Sequence, residues 1–598
     1  MSKPSVIKAI FEKDEKPVTD ESSRKKKFFT REISGSVTQR LKRMHSKRFF
    51  RFTKAVSELI SHISTRVYGT AMLCFGLVAA LMYFVGFSAD KSITTPILGI
   101  LIAGLAIPFL LTDKPLPIFL QDFGPTDFLF FEYFCMKRHS TMESVRSFPI
   151  VVAMAVGVAP ALLSAFIPMW QVVLAIVVVI CVYIGMTSPE FIFLSSLLCL
   201  PYIRFLNHSE IILSVAILIA LISFVRKVLY GRRVFNVEQY DIIIGIMLLF
   251  ILLSGIFVKG VESFSGSVKM IVLAIGYILA GNIITNRRLA ELSANTVIIS
   301  GAVSSLISIG QVIYVFANLG AEVTQADMGF ILARQDGIAV FLMTAIILAV
   351  GMIKQSSTKW RISLSICAVF CLIALVISGE FLAITSLILA FGAYFVIKSN
   401  KITAILLPML LGVSVAVLLL PDFILNVIFT FSPSVISAED LFNLWKRCLE
   451  IMSENLLIGI GIGAESFAEE MAAVGIVGHH DSSNLFIELG LEAGILTPIC
   501  FLIVLITRLR HRSLQYLYVR NSQIERISNL SGACLFGLLA FGMVNYIWSD
   551  ISAYYLFWCI FGIGSASLRV AKRDYDDKVI YYEESSAFDS SVIDIEIG

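Results

Sequence analysis

Residues 241–258 read DIIIGIMLLFILLSGIFV, eighteen positions whose only charge is the first. Wound as an α-helix at about 1.5 Å per residue, such a run is roughly 27 Å long, close to the hydrocarbon thickness of a bilayer. The pattern repeats along the chain. Comparable runs fall at 68–86, 95–112, 148–167, 169–186, 190–204, 210–225 and 266–284. Others follow at 293–318, 337–353, 360–378, 381–397, 401–420, 489–507, 529–546 and 551–568, which makes sixteen candidates. The run at 190–204 is the shortest and contains Pro201. Backbone groups in lipid must satisfy one another, and the period-2 signal of a barrel is missing, so the runs predict helices.

Composition agrees. Of 598 residues 57% are hydrophobic and only 15% charged, with a mean hydropathy of +0.84. That is more apolar surface than one or two soluble cores can hide. The fold class expected is an all-α polytopic membrane protein of about 14–16 transmembrane helices, with one long extracytoplasmic loop bearing short helices. No signal peptide is expected, because the first 58 residues are polar and basic. The ten cysteines mostly sit in apolar runs without CxxC or His/Cys spacing, so neither a disulfide framework nor a metal site is expected.

The net charge of +4 conceals an uneven distribution. Residues 1–67 hold 17 of the 48 Lys and Arg. With both termini placed in the cytoplasm, 41 basic residues fall inside and seven outside: Lys91, Arg204, Lys259, Lys269, Arg334, Lys446 and Arg447. Five regions follow: a basic tail at 1–67, a first set of membrane helices at 68–420, an extracytoplasmic loop at 421–488, three closing membrane helices at 489–569, and an acidic tail at 570–598 that reads as disordered. Within the first, RLKRMHSKRFFRFTKAVSELI (40–60) reads as an in-plane helix partnered by anionic membrane lipids rather than nucleic acid. Residues 115–135 read as a second interfacial stretch.

The loop at 421–488 is too long for a mere connection. Glu439–Met452 predicts a helix with Leu441, Leu444, Trp445, Cys448 and Ile451 on one side. LLIGIGIGAESF (456–467) follows; its glycines permit tight turns or close approach, and without a preceding parallel strand they do not make a dinucleotide site. GHHDSSNLFIELGLEAGIL (478–496) then leads into the next span, with Ser483 or Asn484 suited to cap its helix and Glu492 near that helix's start.

This order resembles the C-terminal signature of the O-antigen ligase and O-antigen polymerase family. Trp445, Gly459, Gly461, Phe467, Asn484, Glu492, Gly494 and Ile495 stand on positions of its pattern, and 439–497 carries the clearest likeness. MGFILARQDGIAVFLMTAII (328–347) and SGEFLAITSLILA (378–390) are similar to two upstream elements of the family. Ser483 stands where the family usually has His, Glu380 near a usual Arg, and Leu441 where an Arg precedes Trp445 by four. These departures favour a divergent polymerase or polysaccharide-transfer branch.

The resemblance implies glycosyl transfer on the outer face of the bacterial inner membrane, a fold similar to C-type glycosyltransferases, and no cofactor or metal. The donor would be a glycan on undecaprenyl pyrophosphate, and the acceptor a glycan or lipid-glycan. Guanidinium groups suit a departing pyrophosphate, and a carboxylate or imidazole suits an acceptor hydroxyl proton. Arg334, Lys446 and Arg447 are therefore expected to bind the pyrophosphate, His480 or Asp481 to act as base with His479 in reserve, and Asn484 and Gly461 to position substrate. Each has a plainer reading. Lys446 and Arg447 suit a solvated helix face, Arg334 suits pairing with Asp336, the histidines suit an exposed loop, and Asn484 suits a helix cap. A transporter or lipid flippase is the main alternative, although no internal repeat appears. A membrane scaffold would explain the basic tail but not 439–497.

Overall fold

The computed structural model describes residues 62–134, 136, 138, 149–229, 233–319, 335–353, 357–398, 438–473, 481–519 and 523–596, except 88, 90, 91, 206–208 and 259. Among them there is no strand; the fold is all-α. In chain order the principal helices are α1 (Thr65–Phe84), α2 (Thr94–Leu110), α3 (Ile150–Leu162), α4 (Met169–Thr187), α5 (Pro189–Cys199) and α6 (Ser209–Leu229). Then come α7 (Gln239–Phe257), α8 (Val261–Ile283), α9 (Arg287–Leu319), α10 (Gln335–Ile353), α11 (Thr358–Ile377) and α12 (Phe381–Lys398). The last six are α13 (Ala438–Glu454), α14 (Ala464–Ala473), α15 (Leu485–Ala493), α16 (Leu496–Val519), α17 (Gln523–Gly542) and α18 (Ile551–Glu596).

Fifteen of the sixteen apolar runs coincide with helices; the other, 401–420, and the basic stretch 40–60 lie outside the described residues. Nine helices among the described residues are long and apolar enough to cross a membrane, and five apolar helices are shorter. One of these is α5, where eleven α-helical residues continue as a 3-10 turn over Leu200–Phe205. At about 1.5 and 2.0 Å per residue that contour is roughly 28 Å, so Pro201 tightens the run without ending it. Residues 116–133 form two short α-helices and a π-helical turn.

Two differences from the sequence reading have simple causes. The run at 489–507 is not one helix: Gly494, at φ +80, ends α15, and α16 starts at Leu496. The acidic tail is helical, because α18 continues from the bundle to Glu596. No Gly or Pro interrupts it after Gly564, and extending a formed helix needs no new nucleus.

At the centre of the bundle stand α10, buried almost continuously from Ile338 to Ala349, and the first half of α18, with Tyr554, Phe557, Trp558 and Phe561. A helix apolar on every side can face lipid or other helices, and these two are enclosed by other helices. Around α18 pack α8, α16 and α17, and around α10 pack α11 and α17. To one side α1, α2 and α3 form a satellite, with Gly76 pressed against the Gly99–Ala103 turn. Small residues of this kind let apolar helices approach closely in lipid.

Contacts sort the connections onto two ends. At one, Arg226 donates to Met186 O (3.2 Å), Arg288 to Glu132 O (3.0 Å) and Arg512 to Ile397 O (3.0 Å), while Arg569 reaches Glu238 (3.6 Å). Here too Glu190, almost fully buried, is held by Lys227 Nζ (2.6 Å) and Arg233 Nη2 (2.5 Å). At the other, Lys269 pairs with Glu210, Ser552 Oγ donates to Leu200 O (3.3 Å), and Gly337 rests against Asp550. This grouping matches the alternation of basic and non-basic connections along the chain.

Candidate functional site

The amphipathic pattern of 439–452 becomes α13, whose Leu441, Leu444, Trp445, Cys448 and Ile451 are buried against Ile460, Phe467, Met471 and Leu491. Trp445 Nε1 donates to Ser482 O (2.9 Å), fixing the segment before α15 to this helix.

Beyond α13 the chain reverses through Gly459, Gly461 and Gly463, all with positive φ. A Cβ on Gly459 would lie 2.6 Å from the Glu492 backbone, and one on Gly494 2.6 Å from Leu457 C. The turn and the end of α15 therefore interlock backbone to backbone. Ile460 N donates to Leu491 O (2.7 Å), Gly461 N to Glu492 O (3.3 Å) and Ile495 N to Leu456 O (2.9 Å). Two hydroxyls from α7 and α8 complete the clamp: Ser254 Oγ donates to Glu492 O (2.5 Å), and Ser263 Oγ accepts from Ile462 N (2.9 Å). With Gly463 N directed at Glu492 Oε1 (3.3 Å), the amides of residues 460–463 all have protein partners. They are not a vacant phosphate cradle.

The cap of α15 is Asn484, not Ser483. Asn484 Oδ1 accepts from Phe486 N (3.0 Å) and Ile487 N (3.2 Å), and its Nδ2 donates to Met543 O (2.8 Å). Ser483 sits one residue earlier at φ +53 and donates its amide to Asp481 Oδ1 (2.9 Å).

Two carboxylates lie on one face of α15, four residues apart: Glu488 and Glu492, 1% and 4% exposed. Glu488 Oε2 accepts from Ser482 N (2.7 Å), and Glu492 Oε2 from the Tyr546 hydroxyl (2.9 Å). Glu492 was expected near the start of a helix; it is instead near the C-terminal end of α15, where the helix dipole disfavours negative charge. Burial raises the Glu488 carboxyl well above the usual range, and neighbouring Glu492 adds to the rise. Burial pushes Glu492 up to about 7, against the opposing hydrogen bonds from Tyr546 and Gly463. The pair therefore retains a proton near neutrality, with half-buried Asp481 close by.

Of the residues singled out from the sequence, the fold gathers Asp481, Asn484 and Gly461 around α15. Lys446 and Arg447 project from the exposed side of α13, where Arg447 Nη1 pairs with Glu450 (2.6 Å). Arg334, His479 and His480 lie outside the described residues. Gly337, three positions after Arg334, touches Asp550, which belongs to the same 543–550 connection as Tyr546. Sequence reading missed Glu488, Tyr546, Ser254 and Ser263. The available signal was two glutamates at helical spacing in the otherwise apolar LFIELGLEAGIL.

No curated protein matches the chain. Residues 366–502 match the family model described as O-antigen ligase, a stretch that runs from within α11 into α16 and contains the glycine turn and α15, though not Ser254, Ser263 or Tyr546. Over residues 366–502, this polytopic membrane protein is similar to the O-antigen ligase family.

Proposed function

We propose that the chain is a glycosyltransferase that polymerises or ligates glycan carried on undecaprenyl pyrophosphate at the outer face of the bacterial cytoplasmic membrane, with both termini in the cytoplasm. The family match over 366–502 carries this reading. It is supported by the enclosure of protonatable groups at the end of the bundle opposite the arginine-rich connections. In the reaction the bond between the donor sugar's anomeric carbon and the pyrophosphate oxygen breaks, and the acceptor oxygen bonds to that carbon. The acceptor proton passes to Asp481 or His480, with His479 as the alternative base. Arg334, Lys446 and Arg447 stabilise the departing lipid pyrophosphate. Asn484 and Gly461 hold the loop against α15, and Glu488 fixes the position of Ser482 beside Asp481.

Separate replacement of Arg334, Arg447 and the His480–Asp481 pair tests the assignment. Each is expected to abolish glycan lengthening or transfer while the protein stays folded in membranes. Accumulated single lipid-linked repeats identify a polymerase, and accumulated finished polymer identifies a ligase. Full activity in all three variants refutes the assigned site.

A further inference from the structure

At the arginine-rich end of the bundle most guanidinium groups have protein acceptors. Arg233 pairs with Glu190 (2.5 Å), Arg569 with Glu238 (3.6 Å), and Arg573 donates to Thr285 O (2.8 Å). Arg508 and Arg526 differ: Nη1 of each is buried without a hydrogen-bond partner. Among the described residues no carboxylate bonds to either, since Glu238 is engaged by Arg569 and His511, and Asp241 by Tyr277 and Glu238 N.

The two belong to one junction. Arg508 lies one turn before Arg512 on α16, with its guanidinium 4.1 Å from the Phe561 ring centroid and its Nη2 against Gly564 of α18. Arg526 is on α17, three residues before Asn529, whose Oδ1 accepts from Arg512 Nη2. Arg512 also reaches the end of α12 through Ile397 O (3.0 Å). Three guanidiniums thus lie along the seam between α16 and α17, which α12 flanks at Arg512 and α18 at Arg508, and Glu525, beside Arg526, is the acidic residue on these turns. A buried guanidinium nitrogen without an acceptor is costly, and a cation over an aromatic face recovers only part of that cost. The missing partner is an acceptor-rich anion. Phosphate oxygens match the guanidinium fork, and basic pockets between membrane helices are suited to lipid phosphates.

We propose that the α16–α17 seam, flanked by α12 and α18, is a binding site for a phosphate-bearing anion, contributed by an acidic phospholipid headgroup or by free phosphate. This site is at the end of the bundle away from the family signature and does not depend on the function proposed above.

Thermal unfolding of the purified full-length chain in detergent, titrated separately with phosphatidylglycerol, phosphatidylcholine and inorganic phosphate, tests it. A rise of several degrees with phosphatidylglycerol but not phosphatidylcholine assigns a lipid headgroup, and a rise with inorganic phosphate alone assigns a free anion. Arg508→Gln and Arg526→Gln should each remove most of the ligand-dependent rise without lowering the ligand-free midpoint. The exposed neighbour exchange Arg510→Gln should leave the rise intact. If no probe raises the midpoint, or if the arginine variants respond like the parent, the proposal is overturned.

Discussion

Replacing Glu492 by Gln tests whether the buried carboxylate pair governs stability. The Glu492 carboxyl titrates at about 7 in the folded protein against an ordinary value of 4.5. Below pH 4.5 the group is protonated in both states and costs nothing. As pH rises from 4.5 through 7 the unfolded chain ionises more readily, so the folded state progressively loses stability. The loss is complete above about pH 8. A displacement of that size corresponds to about 3 kcal/mol. Gln keeps the shape and the acceptor for Gly463 N, and its amide donates to Tyr546, so the variant should match the parent within about 1 kcal/mol at pH 5. At pH 8.5 it should be the more stable protein by about 2–3 kcal/mol, a few degrees in midpoint. The measurement is thermal unfolding of both proteins in one detergent from pH 5 to 9. Adding Glu488→Gln should reduce the slope that persists in Glu492→Gln, and what then remains belongs to other titrating groups. Parallel parent and variant curves across the whole range would refute the reasoning.

Other outcomes follow from the geometry. Gly494→Ala puts a side chain at φ +80 against Leu457 and should cost more than about 2 kcal/mol, seen as reduced folded yield and a lower midpoint. Asn484→Ala removes the cap of α15 and the bond to Met543 O and should lose about 1–2 kcal/mol, whereas Asn484→Asp should restore the cap alone. Glu190→Ala strands Lys227 and Arg233, each about a fifth exposed, and should lower stability by about 2–3 kcal/mol, with Glu190→Asp recovering part of it.

Much of the bundle was legible because lipid imposes one rule, a long apolar run for each crossing, and 241–258 obeys it plainly. α13 was legible for a related reason: its apolar stripe is unbroken from Leu441 to Ile451. The split between α15 and α16 was not, since an apolar run says nothing about φ, and Gly494 acts by meeting Leu457 across a turn almost forty residues away in sequence. Tyr546 escaped notice because the bond that gives it meaning joins the 543–550 connection to α15, more than fifty residues earlier. Glu488 went unread and Glu492 was read as lying near a helix start, because sequence does not show that both are buried. The helical tail escaped because composition measures the lack of a core, not the ease of extending a helix that one already anchors.

The two serine hydroxyls of α7 and α8 limit how portable the signature is. Ser254 and Ser263 lie more than a hundred residues before the matched stretch begins, yet they hold its turn and the end of α15. A chimaera that imports 366–502 from a relative keeps the sequence motif but inherits whatever this host offers at those two positions. Such exchanges should succeed or fail on the donor's fit to 254 and 263, and the natural unit of transplantation runs from α7 to α18.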